Sequence, residues 1–138
     1  MIKLADCDKE ILACYSLMNE LRPSILENEF LNHIQRQKSE GYRLAYLKDE
    51  DSIVSLAGFR IRHSLAWGCF MYVDDLVTHE KCRSSGYGEK LLCWLKSYAV
   101  DQGCVALHLD SGVQRKDAHR FYENQGMEMS CLHFHAAL

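Results

Sequence analysis

The chain has 138 residues, 48% hydrophobic and 25% charged, with 16 basic against 19 acidic side chains and a formal net charge of -3. That is enough chain for one core and too little for two, so residues 1–138 read as a single domain, and the near-balance of charge gives no basic face for gripping nucleic acid. The seven cysteines are dispersed without a CxxC pair, which reads as mostly buried free thiols in a reducing cytoplasm, and no apolar stretch approaches the roughly 18 residues that would argue for a membrane span.

Ile2 to Ala5 reads as a short first strand. Ile11, Tyr15, Met18 and Leu21 or Arg22 then follow helical spacing, which predicts a first helix over 8–22 with Asp6 or Asp8 as its cap. Beyond Pro23, the only proline, Ser24 is placed to cap a second helix whose apolar face is Leu26, Phe30 and Ile34. From Tyr42 the period shortens to apolar runs over 43–47, 53–61 and 67–78, an antiparallel meander of three strands. A helix carrying Leu91, Leu92, Leu95 and Ala99 follows two glycines and stops at Gly103. Val105 to Leu109 reads as a strand, Asp117 to Gln125 as a helix closed by Gly126, and Met127 to His135 as a last strand. The order describes an α/β domain with a sheet of mixed sense.

The segment from Asp74 to Leu92 passes from an apolar strand through a polar loop into a helix whose start contains Gly86 and Gly88. Amides at such a start have no intrahelical acceptor and lie at the positive end of the helix dipole, so an anion is expected there, with Arg83 beside it. A P-loop is excluded because Gly88 is followed by Glu89, Lys90 and Leu91 with no hydroxyl in place, and Leu91 also stands where a dinucleotide fingerprint needs a small residue, although Asp110 lies near the position of its acidic partner. Asp74 and Asp75 interrupt the apolar run. As neighbours on a strand they should point to opposite faces, one into a cleft, unless a bulge re-aims them. His133-x-His135 alternate on the last predicted strand, but no fixed carboxylate or cysteine stands at ligand spacing, so no metal is expected.

Arg83-Ser84-Ser85-Gly86-Tyr87-Gly88 resembles the R/Q-x-x-G-x-G/A signature of the GNAT acyltransferases, and Ala118-His119-Arg120-Phe121-Tyr122 with the following Gly126 resembles that family's A-x-x-F/L-Y motif. The two occur in the family's order with a predicted strand between them. Residues 115–126 are further similar to a small-molecule branch that includes the aminoalkylphosphonate N-acetyltransferases. The resemblance implies a GNAT fold, with a mixed, mostly antiparallel sheet of six to seven strands flanked by about four helices, and acetyl-CoA as acyl donor. It implies that the amides of Arg83, Ser84, Ser85, Gly86, Tyr87, Gly88 and Glu89 bind the pyrophosphate, and that Leu76 and Val77 pair with pantetheine, Val77 N–H facing the thioester oxygen. Tyr122 then hydrogen-bonds the leaving sulfur, and Asp75, immediately before Leu76, is the base, with Asp74 its alternative. Where many members carry an asparagine this chain has Arg115, whose length suits the 3'-phosphate or adenine end of CoA.

The activity so implied is direct transfer of an acetyl group to a primary amine of a small molecule. Two readings stand beside it: transfer to a protein lysine or N-terminal amine, and a non-catalytic acyl-CoA sensor on the same fold. The acceptor pocket is expected from the first two helices, the turn at Arg62-His63-Ser64 and the last strand, with Arg60 and Arg62 available to an acidic substrate group. The apolar end Phe134-His135-Ala136-Ala137-Leu138 leaves a homodimer open.

Overall fold

A computed structural model describes residues 1–138, in two units, 1–108 and 109–138. The first unit opens with β1 (Ile2–Leu4), α1 (Asp8–Ala13), α2 (Tyr15–Leu21) and α3 (Glu27–Lys38). The first predicted helix is thus two. Cys14 N–H donates to Ile11 C=O three residues back rather than four, which tightens the chain there and starts a new helix. Cys7, not Asp6 or Asp8, caps α1; the Glu10 carboxylate reaches back to accept from the N–H of Asp6 at 2.9 Å and of Cys7 at 3.4 Å, which satisfies two amides at the helix start. Ser24 caps nothing: α3 begins after an extended Leu26, with Glu27 and Glu29 in its first turn and Arg36 and Lys38 in its last, the arrangement the helix dipole favours.

The meander follows as β2 (Tyr42–Asp49), β3 (Ser52–Ser64) and β4 (Gly68–Thr78). After a short 3-10 turn at Glu80–Cys82 come α4 (Tyr87–Asp101) and β5 (Ala106–Leu109). The sheet has five strands in the order β1-β2-β3-β4-β5, and the first three pairings are antiparallel. One sheet face carries Leu44, Tyr46 and Leu56, which pack with Ile11, Leu17, Phe30 and Ile34 of the three N-terminal helices. Phe59, three residues from Leu56 and therefore on the opposite face, meets the ring of Tyr98 on α4 edge to face, with the centroids 5.4 Å apart. The sheet is thereby covered on both sides.

The second unit contains α5 (Lys116–Asn124), starting one residue before the predicted helix. Tyr122 C=O accepts from the N–H of Met127 at 3.1 Å, which closes its C-terminal end around Gly126. Residues 127–138 form no strand, so the sheet has five strands and not six to seven. Alternation in the sequence supplies two side-chain faces but not the ladder of backbone partners that makes a strand. Leu132 and Phe134 stay 69% and 86% exposed there.

Candidate active site

The ladder between β3 and β4 slips at one point. Gly58 pairs with Asp75 while the next residue, Phe59, pairs with Val73, so Asp74 and Asp75 together oppose one residue. This is a β-bulge, and it re-aims the acids. Both carboxylates line one cavity of about 280 Å³ with Arg22, His33, Gln37 and Tyr42, where a regular strand would have sent one to the opposite face.

Each acid is held differently. Asp75 accepts from Arg22 Nε at 3.0 Å on Oδ1 and from the Tyr42 hydroxyl at 2.8 Å on Oδ2, so both its oxygens are engaged. Asp74 accepts from Arg60 Nε at 3.1 Å on Oδ2, and its backbone C=O, turned out by the bulge, accepts from Arg22 at 3.0 Å. Arg60 is further fixed by donation to Gln37 Oε1 at 2.7 Å and by its position over the Tyr42 ring. Burial raises the Asp74 carboxyl above its ordinary range despite the Arg60 guanidinium, and the charge of Asp75 adds to the rise. Burial, then Asp75, pushes the Tyr42 phenol well above its ordinary value, so Tyr42 stays a hydrogen-bond donor.

Gly58 makes this crossing possible. A Cβ there would lie 1.7 Å from the Tyr42 hydroxyl oxygen, so the glycine opens the path by which Tyr42 reaches Asp75. Tyr42, Arg22, Gln37 and His33 were not singled out in the sequence. The glycine inside an otherwise apolar strand was the available signal for a close approach. The turn at 62–64 and the last predicted strand contribute nothing to this cavity. Arg62 instead lies over the rings of Phe70 and Tyr72.

Just past the bulge the strand has a free edge. His79 N–H donates to Val54 C=O on β3 at 2.8 Å. Polar groups alternate between the two edges of an antiparallel strand, so Val77, opposite Leu56, also turns its N–H and C=O to β3, while Leu76 and Thr78 turn theirs away. Thr78 C=O accordingly accepts from Arg83 Nε at 3.3 Å rather than from the ladder. The Val77 C=O also receives the Ser55 hydroxyl at 3.1 Å. Val77 is therefore corrected as the donor toward a thioester: Leu76 N–H is the amide that alternation leaves free, and Val77, 8% exposed, packs in the core.

The glycine loop has the geometry of an anion cradle. Ser84 takes φ 72° and Gly86 φ 82°, both left-handed, and Gly86 caps α4 with no side chain bonded to the helix start. The first-turn amides of Tyr87, Gly88 and Glu89 thus have no intrahelical acceptor, and no atom lies within 4 Å of the place a Gly86 Cβ would occupy. Arg83, Ser84 and Ser85 are exposed around it, while the Tyr87 hydroxyl is directed elsewhere, to the Asp49 carboxylate.

In the second unit, burial raises the Tyr122 phenol above its ordinary value, and Arg115 opposes the rise. Arg115 stands exposed immediately before α5. His133 Nδ1 pairs with Asp110 at 3.2 Å. No group of three or more His, Cys, Asp or Glu lies close enough to hold a metal ion, and no helix is long and apolar enough to cross a membrane.

Comparison with known proteins decides the family. The model of the acetyltransferase (GNAT) family matches residues 6–127. The chain is a GNAT acetyltransferase. It is 38% identical over 112 residues to the uncharacterized N-acetyltransferase YhdJ of Bacillus subtilis, covering 80% of this chain and 79% of that one. It is 30% identical over 129 residues to the aminoalkylphosphonate N-acetyltransferase of Salmonella typhimurium, covering 92% and 81%. Among solved structures, AAC(6')-Iy in complex with a bisubstrate analog superposes with a TM-score of 0.86 at 14% identity, over 100% of this chain and 97% of that one, a likeness of fold. As a GNAT acetyltransferase the protein uses acetyl-CoA as its acyl donor.

Proposed function

We propose that this acetyltransferase acts on the primary amine of a small molecule, held in the cavity beside Asp74 and Asp75. The observation that carries the reading is the bulge, which brings two carboxylates into one cavity of about 280 Å³ directly before the free-edge amide of Leu76. An alkyl ammonium has a pKa of about 10.4 and must lose a proton before it can attack. Asp74 is the base in this reading, because one of its oxygens is not claimed by Arg60 and burial raises its proton affinity. Asp75, with both oxygens bound, positions Tyr42 and Arg22 and adds negative charge for the ammonium.

Attack of the neutral amine builds negative charge on the thioester oxygen, and a fixed donor such as Leu76 N–H stabilises that charge by about 3 kcal/mol. The first-turn amides of α4, with Arg83 to Gly86 before them, hold the pyrophosphate. Tyr122, by family likeness, gives its proton to the departing sulfur, a role its raised pKa favours by keeping the phenol protonated.

The charge of the cavity narrows the acceptor. Two guanidiniums, Arg22 and Arg60, offset the two carboxylates, so the site suits a small zwitterionic amine, such as the aminoalkylphosphonates named for the Salmonella relative, better than a polycation such as an aminoglycoside. The test is thiol release from acetyl-CoA with a panel of aminoalkylphosphonates, amino acids, polyamines and aminoglycosides. Turnover should concentrate among amines that carry an anionic group and fall with Asp74→Asn; turnover of polycations alone would overturn the reading.

A further inference from the structure

Away from the acetyl-transfer groups, two thiols face each other. Cys69, the second residue of β4, and Cys104, just before β5, place their sulfurs 3.8 Å apart. Val105 N–H donates to Cys69 C=O at 2.9 Å, and Cys104 N–H donates to Ala99 C=O at 2.9 Å, so the backbone on both sides is anchored. Neighbouring strands run about 5 Å apart, inside the Cα separation that a disulfide spans. The sulfurs have to close by about 1.8 Å to reach the ~2.05 Å of a disulfide bond. Both residues are half-buried, reachable by a small oxidant but sheltered from another protein.

We infer that Cys69 and Cys104 form a reversible disulfide when the protein meets a hydroperoxide. One sulfur attacks the peroxide oxygen, giving a sulfenic acid and releasing the alcohol or water of the peroxide. The second sulfur then displaces the hydroxyl, which leaves as water with the second thiol's proton. Two thiols are oxidised to one disulfide, and the peroxide O–O bond takes up the two electrons. Burial and the neighbouring Cys69 push the Cys104 thiol up to about 11, so this thiol is protonated at neutral pH and the reaction quickens as the pH rises. The loop closed by the bond contains the acid bulge, the glycine loop and all of α4. Its effect is a covalent staple around the segment that holds the acyl donor, formed without touching Asp74, Leu76 or the α4 start.

The full chain is treated with hydrogen peroxide at dilute concentration, alkylated, digested without reduction and analysed by mass spectrometry. The expected result is a linked pair of peptides carrying Cys69 and Cys104, two fewer titratable thiols, and a melting temperature higher by roughly 5–10 °C, since the bond restricts the unfolded chain. Dithiothreitol reverses both changes. Cys104→Ser abolishes the link and the shift, whereas Cys93→Ser, at an exposed thiol, preserves them. The proposal is overturned if Cys69 and Cys104 stay alkylatable while the exposed thiols oxidise, or if the linked protein melts no higher than the reduced one.

Discussion

Gly58→Ala tests the packing that builds the acid site. The added methyl would lie 1.7 Å from the Tyr42 hydroxyl oxygen, 2.3 Å from Cζ and 2.6 Å from Cε2. The Tyr42 ring is rigid and only 1% exposed, so it cannot swing aside into solvent. Relief requires displacing the ring, which forfeits the hydroxyl's hydrogen bond to Asp75. A bond to a charged acceptor contributes about 1.5–3 kcal/mol, overpacking of a filled core costs a further ~1–3 kcal/mol, and the entropy recovered by replacing a strand glycine returns about 0.5–1 kcal/mol. The net expectation is a loss of about 3 kcal/mol. With an unfolding entropy of about 2.1 cal/mol/K per residue, this corresponds to a fall of about 10 °C in Tm. The assay is urea and thermal denaturation of a double-mutant cycle with Tyr42→Leu, which removes all three clashing atoms. In that background Gly58→Ala should cost less than about 1 kcal/mol, a coupling of about 2 kcal/mol. Tyr42→Phe should give a partial rescue, because the hydrogen bond to Asp75 and the closest clash are already gone while the two ring carbons remain. Equal cost of the glycine substitution in the wild-type and Tyr42→Leu backgrounds would refute the argument.

Asp74→Asn should lower kcat by about 10²-fold and abolish the acid limb of the kcat/KM profile, whose midpoint in the wild type lies above the ordinary 3.8 because burial raises this carboxyl; Asp75→Asn should leave that limb in place. The same rise means that the folded state holds the Asp74 proton more tightly than the unfolded chain, so this group's contribution to stability is full below pH 3.8 and is lost as pH rises through its folded pKa. Tyr122→Phe should lower kcat while acetyl-CoA affinity, read by calorimetry, is unchanged; a proportionate loss of affinity would count against Tyr122 as the proton donor. Glu10, whose carboxyl is drawn down from 4.5 to about 2 by Lys3 and by the N–H groups of Asp6 and Cys7, should contribute stability above pH 4.5 that is lost as pH falls toward 2, and Glu10→Gln should flatten that part of the stability curve.

Much of this layout is legible in the residue order. The apolar runs gave the meander, and the glycines at 86 and 88 marked the start of α4, because short-range spacing and backbone freedom are local properties. The break at Cys14 was not legible: Ile11, Tyr15 and Met18 keep helical spacing across it, and only the hydrogen bond from Cys14 to Ile11 reveals the change. The acids at 74 and 75 posed the question of a bulge without answering it, since the answer depends on which β3 residues they face. Tyr42 and Arg22 stayed hidden for the same reason, both reaching Asp75 from distant positions in the chain. Val77 was misassigned because an element's identity does not tell which edge of the strand a given amide occupies. The last predicted strand failed because alternation along 127–135 concerns side chains, whereas a ladder depends on a neighbour.

The bulge at Asp74 also behaves as a removable part. Phe59 pairs with Val73 before it and Gly58 with Asp75 after it, so the strand absorbs its supernumerary residue in a single step and both flanks stay in phase with β3. Deleting Asp74 would therefore leave an unbroken ladder, with Leu76 and Thr78 still at the free edge and the glycine loop unmoved. Under the proposed roles, the segment that holds the acyl donor and the acid that readies the acceptor would be separable by the excision of one residue, so that donor binding and amine activation could be gained or lost independently.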